Sequence, residues 1–346
     1  MLAKKCQGLL QRFAGKRVVV LGDLIADEYI FGNAKRISRE APVLILHWQD
    51  RFVALGGAAN TAHNLAVLGG KVELLGVVGA DGTGQELRGS LAAGGIGQEH
   101  VLVDAARPTT VKLRVLAGGQ QAVKQQVVRI DKFASQALSS DLEKQILANL
   151  TLLLPRADAL LISDYGLGVM TGKIKSSALA LAHKYRLPAA VDSREEILSY
   201  QGASVVTPNL EEAGGALGLE LNSQEEITEA CLSIQRKLGS EAVIITRGED
   251  GMTLMLADGR HWHLPALNPT KVYDVTGAGD TVIGVLALSL AAGASYLEAA
   301  VLANLAAGLV VRKLGTATVT VQELAAALSE LSPQFTEPEG NISASN

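Results

Sequence analysis

The stretch from Asp274 to Asp280, Asp-Val-Thr-Gly-Ala-Gly-Asp, brings together two things that phosphoryl chemistry needs. Gly277 and Gly279 open a helical run over 281–292 that is almost wholly apolar and stops at Gly293. The first amides of a helix have no partner inside it, and its dipole is positive at that end, so such a mouth attracts anions. Glycines there let a ligand approach the backbone. Asp280, in the first turn, is itself an anion. An acid beside anion-binding amides suits a base that deprotonates a nucleophile while the amides of Gly277, Ala278 and Gly279 hold the phosphoryl group in transfer. The plainer alternative is a carboxylate that complements the helix dipole beside a tight turn, and the heptapeptide alone leaves it open.

Other polar residues follow apolar, strand-like runs. Asp23 and Asp27 come after 17–21, Asp164 after 159–163, Asp192 after 189–191, Asn209 after 204–207 and Arg247 after 242–246. Ligands of open α/β sheets gather at the C-terminal ends of strands, so one rim of the sheet is expected to carry the chemistry. Asp23 and Asp27 are placed to accept hydrogen bonds from hydroxyls; a turn acid and a solvated acid are the alternative. Gly56-Gly57-Ala58-Ala59-Asn60 opens a helix that runs to 68 and stops at Gly69-Gly70. The amide of Asn60 both donates and accepts, which suits a sugar, or it caps the helix.

The elements beneath this rim alternate between strands and helices, which predicts a doubly wound, mainly parallel sheet flanked by helices. Of 346 residues 48% are hydrophobic but only 4% aromatic, so aliphatic side chains fill the core, as they do around buried parallel strands. Two stretches break the rhythm, 28–54 and 109–131. Strands at 29–32 and 43–48 flank a polar turn at 35–40, and strands at 111–115 and 123–130 flank Gly118-Gly119. Together they predict a small β lid whose exposed apolar faces would pair with a second copy of the chain. Residues 1–331 read as one domain, and 332–346, with Pro, Glu, Ser and Asn, as a disordered tail.

Several classes are disfavoured. A net charge of -4 gives no basic surface for nucleic acid. Cys6 and Cys231 match no metal spacing, and without a secretory leader the chain reads as a reduced, cytoplasmic protein. No apolar run is long enough for a membrane span. Gly172-Lys173 is followed by Ile174 and lacks the earlier glycine of a Walker A loop, and a dinucleotide fingerprint begun at Gly277 meets Val282 in its sixth position. A nicotinamide-dependent oxidoreductase and a non-catalytic sugar-phosphate-binding regulator stand as readings from other classes.

With both glycine motifs in view, the sequence resembles the ribokinase / phosphofructokinase-B carbohydrate kinases over about residues 15–331. Residues 274–280 are similar to one family signature, and 56–60 with Gly69 to the other. They occur in the family's order and at its usual separation. The resemblance implies a ribokinase-like fold, ATP as co-substrate, Mg2+ and, in many members, a monovalent cation such as K+. It implies Asp280 as base, with the amides at 277–279 as anion hole. Asp27, Gly57 and Asn60 match sugar-binding positions, with Gly56 and Asp23 beside them. Asn209 and Glu212 match the Asn-x-x-Glu that orders Mg2+ and its waters. Thr246, Arg247 and Gly248 match the loop beside the nucleotide phosphates. Asn304 matches the segment flanking adenine, and Asp274 with Thr276 the monovalent-cation position.

Within the family the sequence most resembles the bacterial D-glycero-β-D-manno-heptose 7-phosphate kinases, including the kinase half of the bifunctional ADP-heptose synthesis protein. Arg36-Ile37-Ser38-Arg39-Glu40-Ala41-Pro42-Val43 is similar to their lid motif, and Val272-Tyr273-Asp274 through Gly284-Val285-Leu286-Ala287, and Lys313-Leu314-Gly315-Thr316, to two further segments. This implies phosphorylation of the anomeric hydroxyl to give the 1,7-bisphosphate. Arg36, Lys112, Arg114 and Arg129 are then candidates for the substrate's phosphate, because guanidinium forks match phosphate geometry. Solvated lid charges are the alternative, and fructose 6-phosphate or ribose would use the same site. Two features depart from the pattern. Asp192-Ser193-Arg194 stands where those kinases usually have Asp-Pro-Lys. His261-Trp262-His263 is not an adenylyltransferase loop, so adenylyl transfer is expected from a separate protein.

Overall fold

Aliphatic runs without alternation need cover on both faces, and the chain supplies it. The computed structural model describes residues 2–118, 124–134, 138–266, 274–313, 315–331 and 341–342. A short helix, α1 (Leu2–Leu10), leads into β1 (Arg17–Gly22). The chain leaves for the lid with β2 (Leu24–Ile37) and β3 (Leu44–Gly57), returns through α2 (Ala58–Val67) to β4 (Lys71–Gly79), and continues with α3 (Gly82–Ala93) and β5 (Val101–Asp104). A second excursion adds β6 (Thr110–Gly118) and β7 (Gln125–Lys132). Then come α4 (Ser140–Leu153), β8 (Ala159–Asp164), α5 (Gly172–Lys184), β9 (Ala189–Ser193), β10 (Val205–Val206), α6 (Leu210–Leu217), α7 (Gln224–Leu238) and β11 (Ala242–Thr246). The meander β12 (Met252–Leu256) and β13 (Arg260–Leu264) precedes α8 (Ala278–Ala291), α9 (Tyr296–Val310), α10 (Val321–Leu331) and the short β14 (Asn341–Ile342).

The main sheet has ten strands in the order β14-β13-β12-β11-β10-β9-β8-β1-β4-β5. It is parallel from β5 to β11 and antiparallel from β11 to β14. The two-residue period of β1 divides its side chains between two cores. Val18 and Val20 pack with α1, α2, α8, α9 and α10, while Val19 and Leu21 pack with α4, α5 and α7. The doubly wound fold expected from the sequence is the one observed, and parallel strand order carries the ends of β1, β8, β9 and β11 to one rim. Among the described residues no helix is long and apolar enough to cross a membrane.

The lid is a four-stranded sheet in the order β3-β2-β6-β7. β2 pairs antiparallel with β3 and parallel with β6, so the two excursions form one sheet. Its strands are longer than the sequence predicts: Lys35 and Arg36, expected in a turn, lie in β2, which has irregularities between Phe31 and Gly32 and between Ala34 and Arg36. The β2–β6 register sets Asp27 opposite Lys112 and Tyr29 opposite Arg114, on one face of the sheet. Gly119 of the second lid turn, Val272, Tyr273 and Leu314 lie outside the described residues. So does the expected tail, apart from Asn341–Ile342, which pair with β13.

Candidate active site

Gly277 is the N-cap of α8, with φ +77°. Asp280, three residues on, is 3% exposed and lies directly beneath the helix mouth. Three side chains donate to its carboxylate: Asn60 Nδ2 to Oδ2 at 2.8 Å, Thr61 Oγ1 to Oδ1 at 3.1 Å and Tyr165 Oη to Oδ1 at 2.8 Å. A carboxylate accepts about four bonds, so one acceptor position is left over. Burial moves its pKa upward; the three donors oppose the shift, and the charge of Asp27 adds to it. At the mouth, the Ala278 N–H bonds Val275 O at 3.2 Å. Among the described residues, the amides of Gly277, Gly279 and Asp280 meet no acceptor. Of the amides expected to form an anion hole, that of Ala278 is thus engaged, whereas those of Gly277, Gly279 and the neighbouring Asp280 are left without an acceptor among the described residues. Gly279 is exposed and Gly277 half-buried.

On the sugar side, Asp27 is buried and accepts from Arg114 Nη1 at 2.7 Å. A Cβ on Gly56 would lie 2.7 Å from Asp27 Oδ2, so only glycine fits against this carboxylate. Gly57 caps α2, which presents Asn60 and Thr61 to Asp280. Asp23 is turned to another task. It accepts from the backbone amides of Tyr165 at 2.8 Å, Leu167 at 3.3 Å and Val169 at 3.3 Å. That commits it to the loop after β8 and not to a sugar hydroxyl. Burial, with the nearby Asp164, pushes its pKa up to about 6.

The four lid cations part company. Lys112 Nζ lies 4.8 Å from the centre of the Tyr165 ring, and Arg114 is paired with Asp27. Arg129 is exposed and paired with Asp131 at 3.0 Å. Arg36 lies nine residues beyond Asp27, roughly 30 Å along an extended strand, which takes it out of this cleft.

The residues expected to meet the nucleotide are drawn together by a parallel bridge between Asn209 and Thr246. Asn209 and Glu212 form a capping box: Asn209 Oδ1 accepts from Glu212 N at 2.8 Å, and Glu212 Oε2 accepts from Asn209 N at 2.9 Å. One Glu212 oxygen is left over, and burial raises this group's pKa. Gly248 turns the chain with φ +59°. The Arg247 guanidinium donates to Gln224 and lies 3.9 Å from the Asp250 carboxylate. Asn304 is buried in α9 and donates to Pro265 O at 2.7 Å, fixing where the chain leaves β13. Asp274 accepts from Thr276 N and Gly315 N, both at 2.9 Å, and so ties two loops beside the mouth.

Four residues outside the expected site stand beside Asp280 or its neighbours: Thr61, Tyr165, Arg194 and Tyr29. Arg194 lies with its guanidinium carbon 4.3 Å from the centre of the Tyr165 ring. Burial opposes its charge, whereas Tyr165, Asp280 and Glu212 favour it, and its pKa moves upward. Tyr29 Oη is buried with no hydrogen-bond partner among the described residues. Asp192, below Arg194, is pushed up to about 7 by burial and by Glu212 and Asp280. Tyr165 and Arg194 do follow strand ends, which is the one signal the sequence held for them.

The pfkB family carbohydrate kinase model matches residues 16–323. Bifunctional protein HldE of Geotalea uraniireducens (strain Rf4) is 37% identical over 345 residues, covering 99% of this chain and 69% of its own length. Across the curated relatives the chain spans about two thirds of their length, 64% for the Rhodospirillum rubrum protein of the same name. Among solved structures, Escherichia coli phosphofructokinase-2 in complex with potassium superposes with a TM-score of 0.76 at 20% identity, over 92% of this chain and 99% of that one. Arabidopsis thaliana ribokinase complexed with ribose and ATP gives 0.71 at 20% identity, over 91% and 99%. The oxidoreductase and regulator alternatives give way to this kinship. The chain belongs to the pfkB family carbohydrate kinases: it is a ribokinase-like phosphotransferase that uses ATP as co-substrate and a sugar hydroxyl as acceptor.

Proposed function

We propose that the chain phosphorylates the anomeric hydroxyl of D-glycero-β-D-manno-heptose 7-phosphate to give the 1,7-bisphosphate, on the way to ADP-heptose. The observation that carries the chemistry is the buried Asp280 carboxylate, with one acceptor position left, beneath three amides that meet no acceptor among the described residues. The sugar lies between Asp27, Asn60 and Asp280, under the lid. Asp280 takes the hydroxyl proton as the oxygen attacks in line, and the amides of Gly277, Gly279 and Asp280 receive the charge on the transferring group. Among the described residues Lys112 and Arg194 have no carboxylate within ion-pair distance. Arg194, between Asp280 and Glu212, suits the transferring phosphoryl; Lys112, opposite Asp27, suits the phosphate of the sugar. Kinship with proteins named bifunctional, and the lid motif at 36–43, support the heptose.

Glu212, with one carboxylate oxygen outside the capping box, would hold Mg2+ through its waters beside the nucleotide phosphates. When bound, it neutralises charge on the phosphates. Asp274 and Thr276 would hold a monovalent cation beside the mouth. The test is ADP release with a panel of heptose 7-phosphate, fructose 6-phosphate and ribose, with and without chelator and potassium. A heptose rate no better than the others would overturn the substrate assignment.

Tyr29 offers a sharper check. A buried hydroxyl without a partner costs about 1–3 kcal/mol unless a ligand supplies one. Its oxygen lies beside Gly315 on the face of the lid that carries Asp27. Tyr29→Phe is expected to leave the Tm unchanged or slightly raised, to raise the sugar KM about tenfold and to leave the ATP KM alone. An unmoved sugar KM would remove Tyr29 from the site.

The lid also exposes Ile37, Leu44, Trp48, Val128 and Ile130, with Trp48 68% accessible. Such a surface is that of a partner-binding sheet, and we propose a homodimer through it. Light scattering at micromolar concentration should give a dimer for the wild type and a monomer for Trp48→Glu. A monomeric wild type rules the dimer out.

A further inference from the structure

One of the three donors to Asp280, the Tyr165 hydroxyl, comes from a loop that the catalytic scheme leaves without a task. That loop is held unusually firmly. Asp23 binds the amides of residues 165, 167 and 169. Asp164 accepts from Gly166 N at 2.9 Å, and Arg107 Nη2 donates to Leu167 O at 2.8 Å. Asp164 is fixed in turn by Tyr200 Oη at 2.6 Å, Ser193 Oγ at 3.3 Å and the buried ammonium of Lys175 at 3.2 Å. A buried network of this kind is often no more stable than an apolar replacement, so its presence points to a demand on position. What it positions is the Tyr165 ring, which also contacts Lys112 of β6 and Arg194 after β9.

We propose that Tyr165 is a positioning residue for the base: its hydroxyl fixes the orientation of the Asp280 carboxylate, and its ring ties that orientation to Lys112 of the lid. The inference rests on reading Asp280 as the base. With the hydroxyl removed, Oδ1 keeps Thr61 alone and the carboxylate is free to turn from the mouth. The loss of a donor to the ionised form also makes the base harder to ionise, so more alkaline conditions are needed to charge it.

Tyr165→Phe keeps the ring and its cation contacts and removes only the hydroxyl. Assayed by ADP release with the best acceptor of the panel, it should show a kcat about ten- to a hundredfold lower, with the ATP KM little changed. The acid limb of the kcat–pH profile should move to higher pH by on the order of one unit. A hydroxyl that only packs the fold would lower the Tm and leave that limb in place. Asp280→Asn is measured alongside. If it stays active, the reading of the base has failed; if it is inactive while Tyr165→Phe matches the wild type in kcat and acid limb, the positioning role is overturned. Should Tyr165→Phe not fold, Asp23→Asn, which loosens the loop and leaves Tyr165 in place, carries the same test. A lowered kcat with a displaced limb supports the role, and a wild-type profile overturns it.

Discussion

Asp280→Asn is expected to bind ATP as the wild type does and to turn over about 10²- to 10⁴-fold more slowly, the usual contribution of a general base. The substitution is isosteric, and its surroundings can accept it. An amide oxygen can face Asn60 Nδ2, while the hydroxyls of Thr61 and Tyr165 rotate to accept from the new NH2 group. A buried charge disappears, so the Tm should not fall. The pH profile separates the variant further. Burial raises the pKa of Asp280, and the base works only when ionised, so wild-type turnover is lost as pH falls through that raised value. The variant has no such limb to lose. Calorimetry for ATP and ADP release against pH measure both halves. A variant that keeps kcat within about tenfold of the wild type would refute the assignment.

The fold was legible where burial on both faces removes polar residues from a strand, as in β1, β4, β8 and β11. It was less legible where a strand is exposed. Lys35 and Arg36 read as a turn because they are charged, yet the tip of β2 is solvated and tolerates them, and pairing with β3 decides its length. Among the elements that escaped the reading are β5, β13 and α7. The first is a four-residue edge, and the second mixes two histidines with a tryptophan. The third could have been read, since Ser223 and Glu226 form a capping box before apolar residues at 227, 230, 231, 234 and 238.

The site divides along similar lines. The helix mouth is built from consecutive residues, so its chemistry is written in one stretch. Partnerships between distant residues are not. Asp23 and Asp27 leave the same strand and look equivalent; only the packing of the loop after β8 gives one to backbone amides, and only the β2–β6 register gives the other to Arg114. Arg247 reads as part of the loop beside the nucleotide phosphates; its side-chain partner Gln224 lies on a helix that the sequence reading lacked. Tyr165 meets Asp280 across 115 positions of sequence, a contact that no local pattern encodes.

Gly277→Ala should damage turnover out of proportion to its one added methyl group. Gly277 has φ +77°, where an L side chain costs roughly 1–2 kcal/mol. The new Cβ would also lie 2.6 Å from Asn60 Nδ2, the atom that donates to Asp280 Oδ2. Relief by a backbone shift turns the Gly277 and Gly279 amides; relief by moving Asn60 strips a donor from the base. Either route disorders the charge-stabilising donors, whose loss costs about 10²- to 10³-fold in kcat, together with a few degrees of Tm. Gly279→Ala is the contrast, because its Cβ would meet no protein atom within 4 Å and its backbone is helical. It should keep the wild-type Tm, so any loss of rate there reports crowding of the ligand. Thermal unfolding and kcat of the two variants side by side decide the matter. If Gly277→Ala folds and turns over like the wild type, the mouth of α8 is not where the phosphoryl group is held.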